Sequence, residues 1–352
     1  MTLWFLIPVM PKTTLKRFAT QKDIARRVGI SQEAVSAVLR GKSETVRVSD
    51  AVRRRVLAAA RALRYLPNRS ARAMRARRFH NLGYFVVNAD LSEQDFPGYR
   101  AGIHDAAIRH DYQVVLIRLP HRLAGAGNPI PAVFREAHLD ALIITPYSVF
   151  TREILDAVRE SGLPVVYLNQ KQRTNAVYVD ELGGASALTQ HLIDRGGRRI
   201  VYVEPGDRGT TATWHYSQRD RLRGYEKTMA THGLIPIVRR GAWPVADPAY
   251  AKLFRGPGRP DAAFCFNDFA ALYLQRFILQ AGLDIPRDVR LAGYGGDEID
   301  MHFTAPLTTM RIPRYAMGVA AVEMALTLAG QECRQAWPSV VVQPVLAVGG
   351  TT

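Results

Sequence analysis

The side chains in this chain that are spaced to do chemistry recognise rather than react. Gln32 and Glu33 open a short amphipathic stretch, and their end groups suit base edges: an amide pairs with adenine and a carboxylate accepts from cytosine N4. Between Lys12 and His80 stand 19 lysines and arginines against four acids, Asp23, Glu33, Glu44 and Asp50, a local charge of +15. The whole chain carries +16, so the other residues together are close to neutral. Positive charge confined to one stretch is the electrostatic footprint of a phosphate polymer as partner.

Motifs for bond-breaking chemistry are missing. No GxxxxGK[ST] occurs, the glycines at 293–296 (GYGG) lack the GxGxxG spacing, no histidine pair has zincin spacing, and no GxSxG elbow is present. An enzyme is therefore not expected, nor a metal or cofactor. The two cysteines, Cys265 and Cys333, are far apart, which argues against a disulfide scaffold and fits a reducing cytosol.

The basic stretch has to be held by helices. Thr20 and Asp23 have capping-box spacing, and Ile24, Ala25 and Val28 then share a face. Gly29 can take the left-handed conformation that ends a helix. Ser31 is a second N-cap, and Val35, Val38 and Leu39 give the next helix a buried side, leaving Gln32, Glu33, Ser36, Ala37 and Arg40 outward. The pattern is a helix-turn-helix; the alternative, an ordinary solvated hairpin, does not account for the charge. Ser49 or Asp50 caps a third helix with Val52, Val56, Ala59 and Leu63 on one face. Pro67 breaks it, and Asn68 can cap one more short segment, RSARAMRAR, containing Arg69, Arg72 and Met74. Two turns of helix are marginal alone, so this segment is expected to order only on a partner; the alternative is a solvated basic linker.

A chain of 352 residues, 47% hydrophobic, implies two or three domains. Its apolar start, MTLWFLIPVMPK, is too short to span a bilayer and lacks a preceding basic region, so residues 1–19 are expected to be a disordered leader or a misplaced start, the alternative being a membrane or export role. From Asn81, short apolar runs (LGYFVV, QVVLIRL, DALIITP, LPVVYLN) alternate with helical stretches, and the alternation restarts after Asp180. That describes two α/β lobes, each with a parallel sheet buried on both faces and a cleft between them. Polar groups in the loops after the strands would face such a crevice.

The succession KDIARRVGISQEAVSAVLRG, VRRRVLAAARALRYLPNRSARAMR and LGYFVVNAD resembles the bacterial regulators of the lactose-repressor (LacI) family, over nearly all of the chain from Thr20. The resemblance implies an all-α helix-turn-helix headpiece (20–67), a hinge (68–80) and an α/β bilobed, periplasmic-binding-protein-like effector and dimerisation domain (81–352). Its first lobe would hold about 81–180 and 309–338, and its second about 181–308 and 339–352. It implies a cytoplasmic homodimer on a near-palindromic operator in double-stranded DNA, governed by a small, sugar-like effector and not bound to membrane. The DNA contacts would be Thr20, Ser31, Gln32, Glu33, Ser36, Ala37, Arg40, Asn68, Arg69 and Arg72, with Met74 in place of the family's wedging leucine. Arg221 matches the family's sugar-binding arginine, and Asn267 and Asp268 its polar pair. Asn169 stands where members place a polar contact, Trp243 where some stack an aromatic ring, and Asp90 and Phe96 in the first ligand loop. Where members commonly read GYDD or GFDD, this chain has Gly295 and Gly296, with Asp297 two positions late. Two rivals are a soluble ligand-binding protein with no DNA role, and a DNA-binding dimer blind to effectors.

Overall fold

The computed structural model describes residues 19–40, 48–67, 73, 78–88, 97–120, 138–146, 152–205, 215–241, 249–296, 303, 305–331 and 336–352. These fall into two compact units divided between Arg77 and Arg78.

The first unit holds three helices, α1 (Gln21–Val28), α2 (Gln32–Arg40) and α3 (Asp50–Ala62). The capping box forms: the Thr20 N–H donates to Asp23 Oδ2 at 2.9 Å, and the Asp23 N–H to Thr20 Oγ1 at 3.4 Å. Gly29 ends α1 with φ +74°, its N–H reaching the Ala25 carbonyl at 2.8 Å. A Cβ there would meet nothing within 4 Å, so the backbone angle alone calls for glycine. Ser31 caps α2 through the Ala34 N–H, and Ser49 caps α3 through the Val52 N–H. Ile24, Val28, Val35, Val38, Val56 and Ala59 close the core, and Arg55 Nη2 ties α3 to the α1 C-terminus through the Val28 carbonyl at 2.7 Å. One expectation fails: Ala37 is not outward but only 3% exposed. Because α2 packs against both α1 and α3, its buried arc is wider than the stripe of Val35, Val38 and Leu39. Of the expected hinge helix, Asn68, Arg69, Arg72 and Met74 lie outside the described residues; Ala73 is helical and buried.

The second unit contains two sheets. Strands β1 (Asn81–Asn88), β2 (Gln113–Pro120), β3 (Ala141–Pro146), β4 (Val165–Leu168), β5 (Ala176–Val179) and β11 (Val340–Val342) form one, in the order β2-β1-β3-β4-β5-β11. Strands β6 (Ile200–Pro205), β7 (Ile237–Gly241), β8 (Ala262–Cys265), β9 (Arg290–Gly295), β10 (Thr308–Arg311) and β12 (Val345–Ala347) form the other, in the order β7-β6-β8-β9-β10-β12. The order is the same in both, and every pairing is parallel except β10 with β12. Helices α4 (Pro97–Arg109), α5 (Arg152–Glu160) and α10 (Arg314–Ala329) accompany the first sheet, and α6 (Glu181–Asp194), α7 (Tyr216–Thr231), α8 (Ala249–Leu253) and α9 (Asp268–Gln280) the second. Apolar clusters lie on both faces of each sheet, which is why the strands read as continuous apolar runs.

Two lobe assignments are corrected. The stretch from residue 309 does not open the first lobe, because β10 pairs with β9 in the second sheet and the chain crosses only at Ile312-Pro313, ahead of α10. Nor does SVVVQPVLAVG finish wholly in the second: β11 pairs with β5 in the first sheet, and only β12 joins the second. Pro344, which has no N–H to give a ladder, divides that run between two sheets. The chain thus passes between lobes three times, after Val179, after Arg311 and after Val342.

Candidate DNA-reading surface and inter-lobe cleft

On α2 the polar face is placed by the turn before it. Ser31, Gln32 and Glu33 are exposed, Ser36 is half-buried and Thr20, at the α1 cap, is half-buried. Arg40 closes the helix; its side chain is outside the described set. Lys22, Arg26, Arg27, Arg53 and Arg54 are also exposed on this small unit. Of the four acids in the basic region, Asp23 is spent on the Thr20 cap. A helix N-terminus carrying amide and carboxylate end groups, on a unit with exposed cations, can read base edges while the cations hold phosphates.

In the lobed unit the candidate residues stand at the carboxyl ends of strands, where an open parallel sheet presents its crevice. Asn169 follows β4, Asn267 and Asp268 follow β8, and Gly295 ends β9. Arg221 comes from α7 and is 6% exposed. Its Nε and Nη2 donate to Oε2 and Oε1 of Glu181, each at 2.8 Å, and Nη1 donates to the Phe266 carbonyl at 2.7 Å. The guanidinium centre lies 3.8 Å from the ring centre of Tyr294 and 4.7 Å from that of Phe266. The Glu181 charge holds the Arg221 pKa above its ordinary value against the opposing effect of burial. Glu181, the first residue after the β5 crossing on α6, is 1% exposed.

The other candidates are also bonded within the chain. Asn267 caps α9, its Oδ1 accepting the Ala270 N–H at 2.8 Å, and Asp268 Oδ1 accepts from Thr309 Oγ1 at 2.6 Å. Asn169 adopts φ +59° and touches the second lobe twice: its carbonyl lies 2.7 Å from His215 Nε2, and its Oδ1 accepts from Tyr216 Oη at 3.4 Å. A carbonyl only accepts, so Nε2 carries the proton, and Nδ1 accepts the Ser217 N–H as the cap of α7. Burial lowers the His215 pKa, the Asn169 bond partly opposing it. Lys171 and Asp220 join the lobes again at 2.6 Å. Asp90, Phe96, Trp243 and Asp297 lie outside the described residues.

The sequence reading missed Glu181, His215, Tyr216 and Tyr294. Its one available signal was AVYVDE, a short apolar run closed by two acids, in which Asp180 caps α6 and Glu181 is left to face Arg221. Another missed contact lies at the entry to the first lobe, where the Asp140 carboxylate accepts the backbone N–H groups of Phe79 and His80, both at 2.8 Å. No helix among the described residues is long and apolar enough to cross a membrane, and no cluster there could hold a metal ion.

Residues 20–68 match the bacterial regulatory proteins of the lacI family, and residues 189–352 match a periplasmic binding protein-like domain. The chain is 28% identical over 318 residues to the transcriptional repressor PurR of Photobacterium profundum, covering 87% of this chain and 90% of that one. It is 27% identical over 316 residues to the ribose operon repressor of Escherichia coli, covering 87% and 92%. A lac repressor dimer solved on operator with an anti-inducer superposes with TM-score 0.75 at 23% identity, covering 95% of this chain and 99% of that one. With a capped, basic helix-turn-helix unit ahead of two like-ordered α/β lobes, the chain belongs to the LacI family of bacterial transcription regulators.

Proposed function

We propose that this protein is a cytoplasmic, homodimeric repressor that binds a near-palindromic operator and releases or grips it according to a small, sugar-like effector held between the lobes. The observation that carries the DNA half is the exposed Gln32–Glu33 end of α2 on a unit holding nearly all of the chain's net charge. Ser31, Ser36 and Arg40 flank those two residues, with Thr20 at the neighbouring helix cap. The segment around Asn68, Arg69, Arg72 and Met74 serves as the hinge, folding in the minor groove of the same site, with Met74 as the wedge between base pairs. A relative named as the ribose operon repressor, and neighbours solved with cellobiose and with ribose, support a small polar effector. Asn169, Arg221, Asn267 and Asp268 then form the described wall of that site, with Asp90, Phe96, Trp243 and Asp297 from the adjoining loops. Dimerisation suits α9, whose exposed Tyr273 and Leu279 stand beside Leu272 and Arg276 in an open groove of about 560 Å³. Two-fold symmetry in the protein sets two half-sites in the DNA.

Selection of bound fragments from genomic DNA tests this reading. The expected result is one enriched motif with dyad symmetry, whose neighbouring genes point to the effector's pathway. Recovery of DNA without a common motif would overturn it. Hydrogen exchange across residues 68–78 tests the hinge, with protection expected only on the selected operator.

A further inference from the structure

We infer that Glu181 determines which effectors the cleft admits: its carboxylate fills the forked face of Arg221 from within the chain, so the site turns away carboxylate- and phosphate-bearing ligands and takes uncharged ones. The inference rests on the cleft reading above and adds the charge class of the ligand. A guanidinium binds a carboxylate best through two parallel N–H donors, and the Nε–Nη2 pair of Arg221 already reaches Glu181 in this way, each bond at 2.8 Å. The Phe266 carbonyl takes a third, and the ring faces of Tyr294 and Phe266 keep the group in place. Glu181 and Arg221 are 1% and 6% exposed, so an anion that displaced Glu181 would leave a buried carboxylate without its cation. A neutral hydroxyl has no such cost. It can donate to the second lone pair of a Glu181 oxygen and accept one of the two N–H groups that those three bonds leave on Arg221.

The backbone at 295–296 does not suit an acid. Gly295 has φ +134° and Gly296 φ +70°, and a Cβ on Gly296 would lie 2.6 Å from Arg311 Cγ. The Gly295 carbonyl accepts from Ile312 N–H at 3.2 Å and Arg314 Nη1 at 2.7 Å, which fixes that path. A side chain at either position is strained, whereas Glu181, at the start of α6, reaches Arg221 without such a cost. Two further buried acids are also bonded within the chain: Asp220 holds Lys171, and the Asp268 carboxylate accepts from the Thr309 hydroxyl.

The test uses the full chain. Wild-type protein is titrated with D-glucose and D-galactose and with their charged counterparts, gluconate, glucose 6-phosphate and galacturonate, by thermal shift and equilibrium dialysis. Glu181→Ala is melted in acetate and in chloride at equal ionic strength, with Glu181→Gln as the volume-conserving variant. Expected are a neutral sugar bound in preference to its acid, no acetate-specific shift in wild type, and a lower melting temperature for Glu181→Ala that acetate raises saturably. Galacturonate or gluconate should gain about tenfold in affinity on either variant. Wild type that binds an acid or phosphate as tightly as the matching neutral sugar overturns the inference. So does Glu181→Ala that acetate does not stabilise beyond chloride, or variants of unchanged charge preference. If neither variant accumulates folded, the wild-type preference decides. If no sugar of either kind binds while operator binding persists, the sugar-cleft reading fails and the acetate result alone decides this inference.

Discussion

On α2, Gln32 and Glu33 stand exposed on a scaffold whose backbone needs are met by Thr20, Asp23, Gly29 and Ser31, whereas at the lobe junction Asn169, Arg221 and Asp268 are buried and bonded to the chain itself. The difference separates two ways of building a recognition site. Exposed end groups on a self-sufficient helix can be exchanged with little effect on folding. Residues of a buried, prepaired site carry stability and recognition together, so a change to one is felt in both.

The largest effect expected from that contrast is at Arg221. Arg221→Ala leaves Glu181 buried without its cation and should lower unfolding free energy by about 3–5 kcal/mol. The double variant Arg221→Met with Glu181→Met should recover most of the loss in urea denaturation, since an apolar pair needs no partner. Equal stability of Arg221→Ala and wild type would erase the contrast.

On the headpiece side, replacing Gln32 and Glu33 together by Ala should cost ~1–3 kcal/mol of base discrimination for each residue. The melting temperature should hardly move, because neither side chain supports the core. A selected operator logo identical to that of wild type would remove both residues from the reading surface. Gly296→Ala belongs to the other side: strain at φ +70° and the clash with Arg311 should cost about 1–3 kcal/mol, read by denaturation. Thr20→Ala should cost ~1 kcal/mol through loss of the cap while leaving the operator logo unchanged.

The smallest effect is a pH dependence at the lobe junction. Burial depresses the His215 pKa in the folded protein, so the unfolded chain takes up its proton first as pH falls. Stability should therefore be level above the ordinary histidine value of about 6.5 and decline below it, until the folded-state value is reached. His215→Gln should flatten that part of the stability curve. An unchanged slope would mean that other groups set it.

The headpiece was legible in the sequence because its determinants are local: a cap and its acid three residues apart, a glycine at a turn, apolar residues at helical spacing. Ala37 misled because a small residue carries no sign of which neighbour covers it. The alternating lobes were legible from apolar runs, while β5 and β7 were passed over, the first because AVYV is short and the second because IVRRG carries arginines along an edge of the sheet. Crossings at residues 312 and 343 depend on which strands pair, which no local pattern states. In the cleft, the family motif marked Arg221, but its partner lies 40 positions earlier and only the folded chain brings them together.

Fluorescence anisotropy of the full chain, on the selected operator and on a scrambled duplex of equal length across a salt series, tests the central claim most directly. The account predicts that affinity for both duplexes falls steeply with salt and that the operator is bound at least ~10³-fold more tightly at physiological salt. Equal affinity for the two duplexes, or binding insensitive to salt, would contradict it.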